Sequence, residues 1–208
     1  MKQTKVVITG GSGDIAKAIS SILSATGEYT VLTPSRKELN VTDIVSVNQY
    51  LSQEKPDILI NNAGAILLED IEKNNIEKHK HVIDVNLFGI FNCTGAALQN
   101  NPKAKIINIG SSAGTKVHGS WSSYCATKAA VIMATKCWAE EGVDAVCVSP
   151  GRTTTKMRTS MYPNEDKNTL MHPNDFAKFI YKIITTNNYK KGDNIDVNIK
   201  NVKELINE

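Results

Sequence analysis

The chain has 208 residues, a length that suits one domain with a sizeable core. Apolar residues make up 41% and charged residues 22%, the balance of an ordinary globular chain, and a formal net charge of +3 is too mild to argue for nucleic acid. No apolar run approaches membrane-spanning length, so neither nucleic acid nor a membrane is expected as a partner.

Strand and helix patterns alternate along the whole chain. KVVITG (5–10) reads as a strand and DIAKAISSIL (14–23) as a helix. YTVLTP (29–34) is a strand, DIVSVNQYLSQE (43–54) a helix and DILINNAG (57–64) a buried strand. IEKHKHVIDVNLFGIFNCTGAAL (76–98) has the spacing of one long helix, and AKIINIGSSAG (104–114) is a strand running into a loop. SSYCATKAAVIMATKCWAEE (122–141) is a helix, DAVCVSPG (144–151) a strand, NDFAKFIYKIITT (174–186) a helix and NIDVNI (194–199) the last strand. The strands are near-continuous Val/Ile/Leu runs, the pattern of strands covered on both faces. The expected fold is therefore α/β, a single doubly wound Rossmann-type domain over 1–208 with a mostly parallel sheet.

The N-terminal MKQTKVVITGG enters a strand almost at once and has no apolar core of the signal-peptide kind. Cys93, Cys125, Cys137 and Cys147 form no CxxC pair and no Cys/His cluster of zinc spacing, so no metal is expected. Each lies in an apolar run and reads as a buried free thiol, which suits a cytoplasmic protein.

Two stretches carry chemistry. TGGSGDIA (9–16) joins the first strand to the first helix; glycines allow a sharp turn, and a helix N-terminus offers free N–H groups to a pyrophosphate. YCATK (124–128) puts Tyr124 and Lys128 on one helix face, where an ammonium favours the phenolate of a neighbouring tyrosine.

Together with NNAG (61–64), NLFGIF from Asn86, IINIGSSAG (106–114) and SPGRTTTKM (149–157), these stretches resemble the short-chain dehydrogenase/reductase family in motif and in order. The glycine turn matches the family's TGxxxGxG with two departures, Asp14 and Ala16 in place of glycines. The Asp14 side chain is expected to point away from the pyrophosphate and cap the helix. The resemblance implies an enzyme with Asn86, Ser111, Tyr124 and Lys128 as catalytic residues. Tyr124 would protonate a carbonyl oxygen, Lys128 lower its pKa and bind the nicotinamide ribose, Ser111 bond the carbonyl oxygen and Asn86 hold a relay water.

It also implies cofactor contacts at Gly10, Ser12, Gly13, Asp14 and Ile15 in the turn and at Ser35 and Arg36 after the second strand. Further contacts fall at Asn40 and Val41, at Asn62, Ala63 and Gly64, and at Pro150, Gly151, Thr153 and Thr155. Between Tyr29 and Lys37 there is no acid to bind ribose hydroxyls, and Arg36 can take a 2′-phosphate, so NADP(H) is expected to be preferred with NAD(H) possible.

The segment 152–177 supplies a short lid, which suits a small carbonyl or alcohol substrate bound near Ser111. Arg152, Lys156 and Arg158 crowd its start; a second, fainter resemblance, to the reductase part of bifunctional CDP-ribitol-forming enzymes, implies a phosphorylated keto-sugar there. His118 and Trp121 either line the pocket or pack its loop. Family habit implies a homodimer or homotetramer, with the 76–98 helix as a candidate interface. The competing reading is a non-enzymatic, dinucleotide-binding sensor on the same fold.

Overall fold

The computed structural model describes residues 3–207; Met1 and Lys2, the start of the stretch read above for a leader, lie outside it, as does Glu208. The six expected strands form one parallel sheet. They are β1 (Thr4–Ile8), β2 (Tyr29–Leu32), β3 (Ile58–Asn61), β4 (Lys105–Ile109), β5 (Ala145–Pro150) and β6 (Asn194–Val197), in the order β2-β1-β3-β4-β5-β6. The register is tight at the centre, with Val7 opposite Leu59, Leu59 opposite Ile106 and Ile107 opposite Val146. β3, β4 and β5 are buried almost throughout, which explains why they read as unbroken apolar runs rather than alternating ones. Each strand is shorter than its apolar run because the following residues, NAG after β3 and GSSAG after β4, leave the ladder to build loops.

The helices α1 (Asp14–Ala25), α2 (Ile44–Glu54), α5 (Ser122–Glu140) and α7 (Pro173–Thr186) match the sequence reading within a residue or two. On one face of the sheet, α1 and α7 bury Ile19, Leu23, Phe176 and Ile180 against Ile8, Ile60 and Val148. Removing the ring of Phe176, fully buried there, would cost about 3–5 kcal/mol. The other face packs Val7, Leu59 and Ile106 against Val47 and Leu51 of α2 and against Cys93 and Ala97.

The long helix of residues 76–98 is not one α-helix. It runs as α3 (Ile76–Ile83), one wide π turn (Asp84–Phe88), then α4 (Gly89–Asn100). A π turn carries one extra residue, and its centre here is the buried Asn86. Two short helices, α6 (Lys156–Met161) and α8 (Val202–Asn207), were absent from the sequence reading, their periodicity too brief to register.

The cysteine reading is corrected in part: Cys93 and Cys147 are buried, Cys125 is half-buried and Cys137 is exposed. Cys137 lies in an apolar run of α5, yet faces outward, as one face of any helix must. Among the described residues no helix is long and apolar enough to cross a membrane.

Strand order reverses at β1, with β2 on one side and β3 on the other, so the loops leaving β1 and β3 part and open a crevice at the carboxyl ends of the strands.

Candidate active site

That crevice is a cleft of about 390 Å³ running from Arg36 to Tyr124. Its floor is the turn after β1. Gly10 holds φ +67°, and a Cβ there would stand 2.8 Å from the Ala63 Cα, so only glycine lets the β1 and β3 loops approach this closely. The Gly13 amide is tied back to Gly10 O at 3.0 Å. The amides of Ser12, Asp14 and Ile15 have no protein acceptor among the described residues and stand at the N-terminus of α1 in the cleft wall. Unpaired N–H groups at the positive end of a 12-residue helix fit a pyrophosphate.

Asp14 departs from its expected role. It makes no cap bond; its Oδ2 accepts from the Lys156 backbone N–H at 2.5 Å, joining the turn to the start of α6.

At the far end of the cleft, Arg36, Asn40 and Val41 line the wall, Arg36 exposed and without an acidic partner among the described residues. Asn40 Oδ1 accepts from Thr42 N at 3.3 Å and Thr42 Oγ1 at 3.0 Å, shaping the NVTD turn and leaving its Nδ2 without a partner among the described residues. Ser35 lies outside the wall; its N–H donates to Glu38 Oε2 at 2.8 Å, and that bond holds the Glu38 carboxyl below its ordinary range.

The NNAG loop braces the sheet. Asn61 Nδ2 donates to Thr94 Oγ1 at 3.0 Å and Asn108 Oδ1 at 2.9 Å, while Asn62 Nδ2 donates to Thr9 O at 2.9 Å. Thr9 Oγ1 accepts from Asn62 N and Ala63 N, both at 3.0 Å, and the backbone of residues 62–64 then faces the cleft.

The π turn aims Asn86 at this loop. Asn86 Nδ2 donates to Ala65 O at 2.9 Å and to Thr127 Oγ1 at 3.1 Å, and its Oδ1 accepts from Ala65 N at 2.8 Å. Both amide hydrogens are thus committed to protein, and one Oδ1 lone pair remains for a water. Thr127 Oγ1 in turn donates to Tyr124 O at 2.8 Å, linking the loop, the π turn and α5.

Ser111, Tyr124 and Lys128 come together as expected. Ser111 stands two residues past β4, buried and outside the cleft wall, its Oγ accepting from Ala113 N at 3.1 Å. The loop can lie on α5 because Gly114 has no side chain; a Cβ there would meet Lys128 C and O at 2.9 Å. Lys128 is 6% exposed and donates through Nζ to Ile109 O at 2.7 Å, with Nζ 5.8 Å from the centre of the Tyr124 ring. Burial pulls Lys128 down to about 8, against an ordinary 10.5; the nearby Cys147 works the other way. Burial likewise raises the Tyr124 phenol, and the Ser111 hydroxyl beside it pulls it back. The lowered phenol pKa expected from the sequence is therefore not present in the chain alone: Lys128 directs its charge at a backbone carbonyl.

Pro150 at the end of β5 and Thr155, Lys156 and Met157 of the lid close the cleft. Gly151 and Thr153 lie behind that wall: Gly151 N bonds Val197 O at 2.7 Å, and Thr153 is buried and bridged to Met171. Thr155 caps α6 by accepting from Arg158 N at 3.2 Å. Of the three lid cations only Lys156 borders the cleft, for Arg152 and Arg158 are both paired to Glu165, at 3.1 and 2.7 Å. Trp121 is buried, stacks on His118 at 4.7 Å and meets the Tyr124 ring edge-on at 5.8 Å, so this pair packs the loop and Trp121 borders the Tyr124 phenol.

Sequence reasoning missed several residues of the wall, among them Leu39, Ala65, His81, Val85 and Met157. Ala65 and Val85 adjoin recognised motif residues, which was the available signal; His81 carried none.

The family model described as short chain dehydrogenase matches residues 37–166. The 3-oxoacyl-(acyl-carrier-protein) reductase of Haemophilus influenzae is 30% identical over 190 residues, 77% of this chain and 78% of its own length. An uncharacterized oxidoreductase of Staphylococcus aureus is 29% identical over 209 residues, 86% of this chain and 90% of its own. Among solved structures, ElxO with NADP bound superposes with a TM-score of 0.82 at 26% identity, covering 94% of this chain and 97% of that one. 4-Hydroxyisoleucine dehydrogenase complexed with NADH gives 0.81 at 24% identity, covering 94% and 96%, a likeness of fold.

Proposed function

The chain belongs to the short-chain dehydrogenase family, and from that premise we propose an NADPH-preferring reductase of small carbonyl compounds, able to run in reverse on the alcohol. The observation that carries the reading is the meeting of Tyr124 and Lys128 at one end of a cleft, with the Ser111 hydroxyl beside Tyr124, while helix amides and Arg36 line the cleft further along. The likeness to ElxO, solved with NADP bound, supports a nicotinamide cofactor for this chain.

The α1 amides would hold its pyrophosphate, Arg36 its 2′-phosphate, and Lys128 its nicotinamide ribose. Bound there, the cofactor supplies the hydride. Ser111 hydrogen-bonds the substrate oxygen as negative charge develops on it, and Tyr124 donates the proton that neutralises it. Lys128, released from Ile109 O, brings an ammonium toward the resulting phenolate and lowers its cost in a buried site. Asn86 offers its remaining Oδ1 lone pair to a water that returns the proton, and Thr127 keeps it in place.

A small neutral substrate is favoured over a phosphorylated keto-sugar, because Glu165 pairs Arg152 and Arg158 and leaves Lys156 as the one of the three without an acid partner among the described residues. A homodimer or homotetramer through α4 and α5 is supported by Phe88, Phe91 and Met133, which those helices and the π turn leave exposed.

Tyr124→Phe tests the chemistry. Turnover in a screen of small carbonyls should fall by about a hundredfold or more, the scale of a lost general acid, while cofactor binding persists. Near-normal turnover in the variant sinks the mechanism. Cofactor binding with no turnover on any carbonyl by the wild type favours a dinucleotide sensor instead.

A further inference from the structure

The lid holds an arrangement that the reaction above does not use. Arg158 Nε and Nη2 donate to the two oxygens of Glu165, each at 2.7 Å, and Arg152 Nη1 adds a third bond at 3.1 Å. This two-point fork is the geometry by which arginine takes a phosphate or a free carboxylate. Its position bears on substrate choice. The Arg158 guanidinium lies 4.2 Å from the Tyr162 ring centre and 6.0 Å from that of Trp121, and Trp121 meets the ring of Tyr124 at 5.8 Å. One indole therefore separates the fork from the catalytic phenol.

The pairing also differs in geometry from an ordinary surface ion pair. An exposed ion pair contributes about 0–1 kcal/mol. Here two arginines converge on one carboxylate, and the Arg158 side chain is only 16% exposed. The Arg158 hydrogen bond holds the Glu165 carboxyl below its ordinary range, so it stays ionised at neutral pH.

We propose that Glu165 is a specificity-determining residue: its carboxylate fills an anion subsite built by Arg152 and Arg158 beside Trp121, so the enzyme discriminates against phosphorylated and carboxylated carbonyl substrates. An intramolecular carboxylate acts at an effective concentration of about millimolar or higher, and an external dianion must both displace it and approach its charge. Glu165→Gln keeps the side chain's shape and removes that charge, which makes the subsite available to an external anion. The consequence for turnover rests on the reading of Tyr124 as the proton donor; anion binding at the subsite does not.

The experiment uses inorganic phosphate with NADP present at saturation, so that the pyrophosphate site is filled. The chain has two tryptophans, Trp121 and Trp138, and a Trp138→Phe background isolates the fluorescence of Trp121. Phosphate should bind Glu165→Gln at least about tenfold more tightly than the parent, and adding Arg158→Gln should abolish the gain. Glu165→Ala is expected to behave as Glu165→Gln does. A parent protein that binds phosphate as tightly as the variants shows that Glu165 does not fill the subsite. Variants that melt like the parent yet give no response show that the arginines build none. In turnover, the preference for an unphosphorylated carbonyl over its phosphate ester should fall in Glu165→Gln. Absence of turnover on both, beside a positive phosphate titration, removes the proposed reduction and leaves the subsite standing.

Discussion

Thr127→Val removes one hydroxyl and keeps the volume and branching of the side chain. That hydroxyl accepts from Asn86 Nδ2 at 3.1 Å and donates to Tyr124 O at 2.8 Å, in a residue 2% exposed against one 1% exposed. Tyr124 O retains its helical partner, so the main loss is one Asn86 amide hydrogen left buried without an acceptor. A buried polar group stripped of its partner costs about 1–3 kcal/mol. For a chain of this size each kcal/mol lowers the melting temperature by about 2–4 °C, so a drop of a few to about ten degrees is expected. The same bond links the π turn to the helix that carries Tyr124 and Lys128. A slack link there lowers kcat by about tenfold or more and changes cofactor KM less, since the cofactor cleft is built mainly by other elements. Thr127→Ser should restore both quantities because it keeps the hydroxyl. In an Asn86→Ala background Thr127→Val should cost much less, the non-additivity of a shared bond. Thermal melts and steady-state kinetics on the four variants decide the matter. A Thr127→Val protein that melts within a degree of the parent with unchanged kcat refutes the reasoning.

Two further outcomes follow from the cleft. Arg36→Ala should raise the KM for NADPH by about tenfold or more, the scale of a lost charge-assisted bond, and leave that for NADH nearly unchanged; a parent enzyme that prefers NADH contradicts it. Burial holds Lys128 near 8 in the fold against 10.5 outside it, so below pH 8 its buried ammonium imposes the full penalty on the folded chain. Between those two values the unfolded chain binds the proton that the folded chain has released, so stability should rise with pH across that window by up to about 3 kcal/mol. Denaturant melts of the cofactor-free protein against Lys128→Met isolate this contribution, and a difference that stays flat across the window counts against it.

What was legible in the sequence, and what was not, divides along the range of the interactions. The central strands were legible because a parallel sheet buries both of their faces, which writes itself as near-continuous apolar runs such as ILIN and AVCVSP. The glycine turn, NNAG and YxxxK were legible because their geometry is local: a positive φ at Gly10, or two side chains one helical turn apart. The π turn was not, for nothing in DVNLF departs from helical spacing; its place is fixed by Ala65 and Thr127, which lie 21 and 41 residues from Asn86. Asp14 shows the same limit. As the first residue of α1 it had the chemistry of a cap, but its acceptor met a backbone N–H 142 residues away.

The lid cations make the point most sharply. Arg152, Lys156 and Arg158 are a real excess of charge over seven residues, and the sequence supported a phosphate for them. Pro163 stops α6 and turns the chain back, which brings Glu165 onto two of the three. A cluster of cations in a loop therefore specifies an anion but not its source: a carboxylate a few residues further along the same segment satisfies arginine geometry as well as a ligand does. It also begins close at hand, without the loss of translational freedom that a ligand bears on binding.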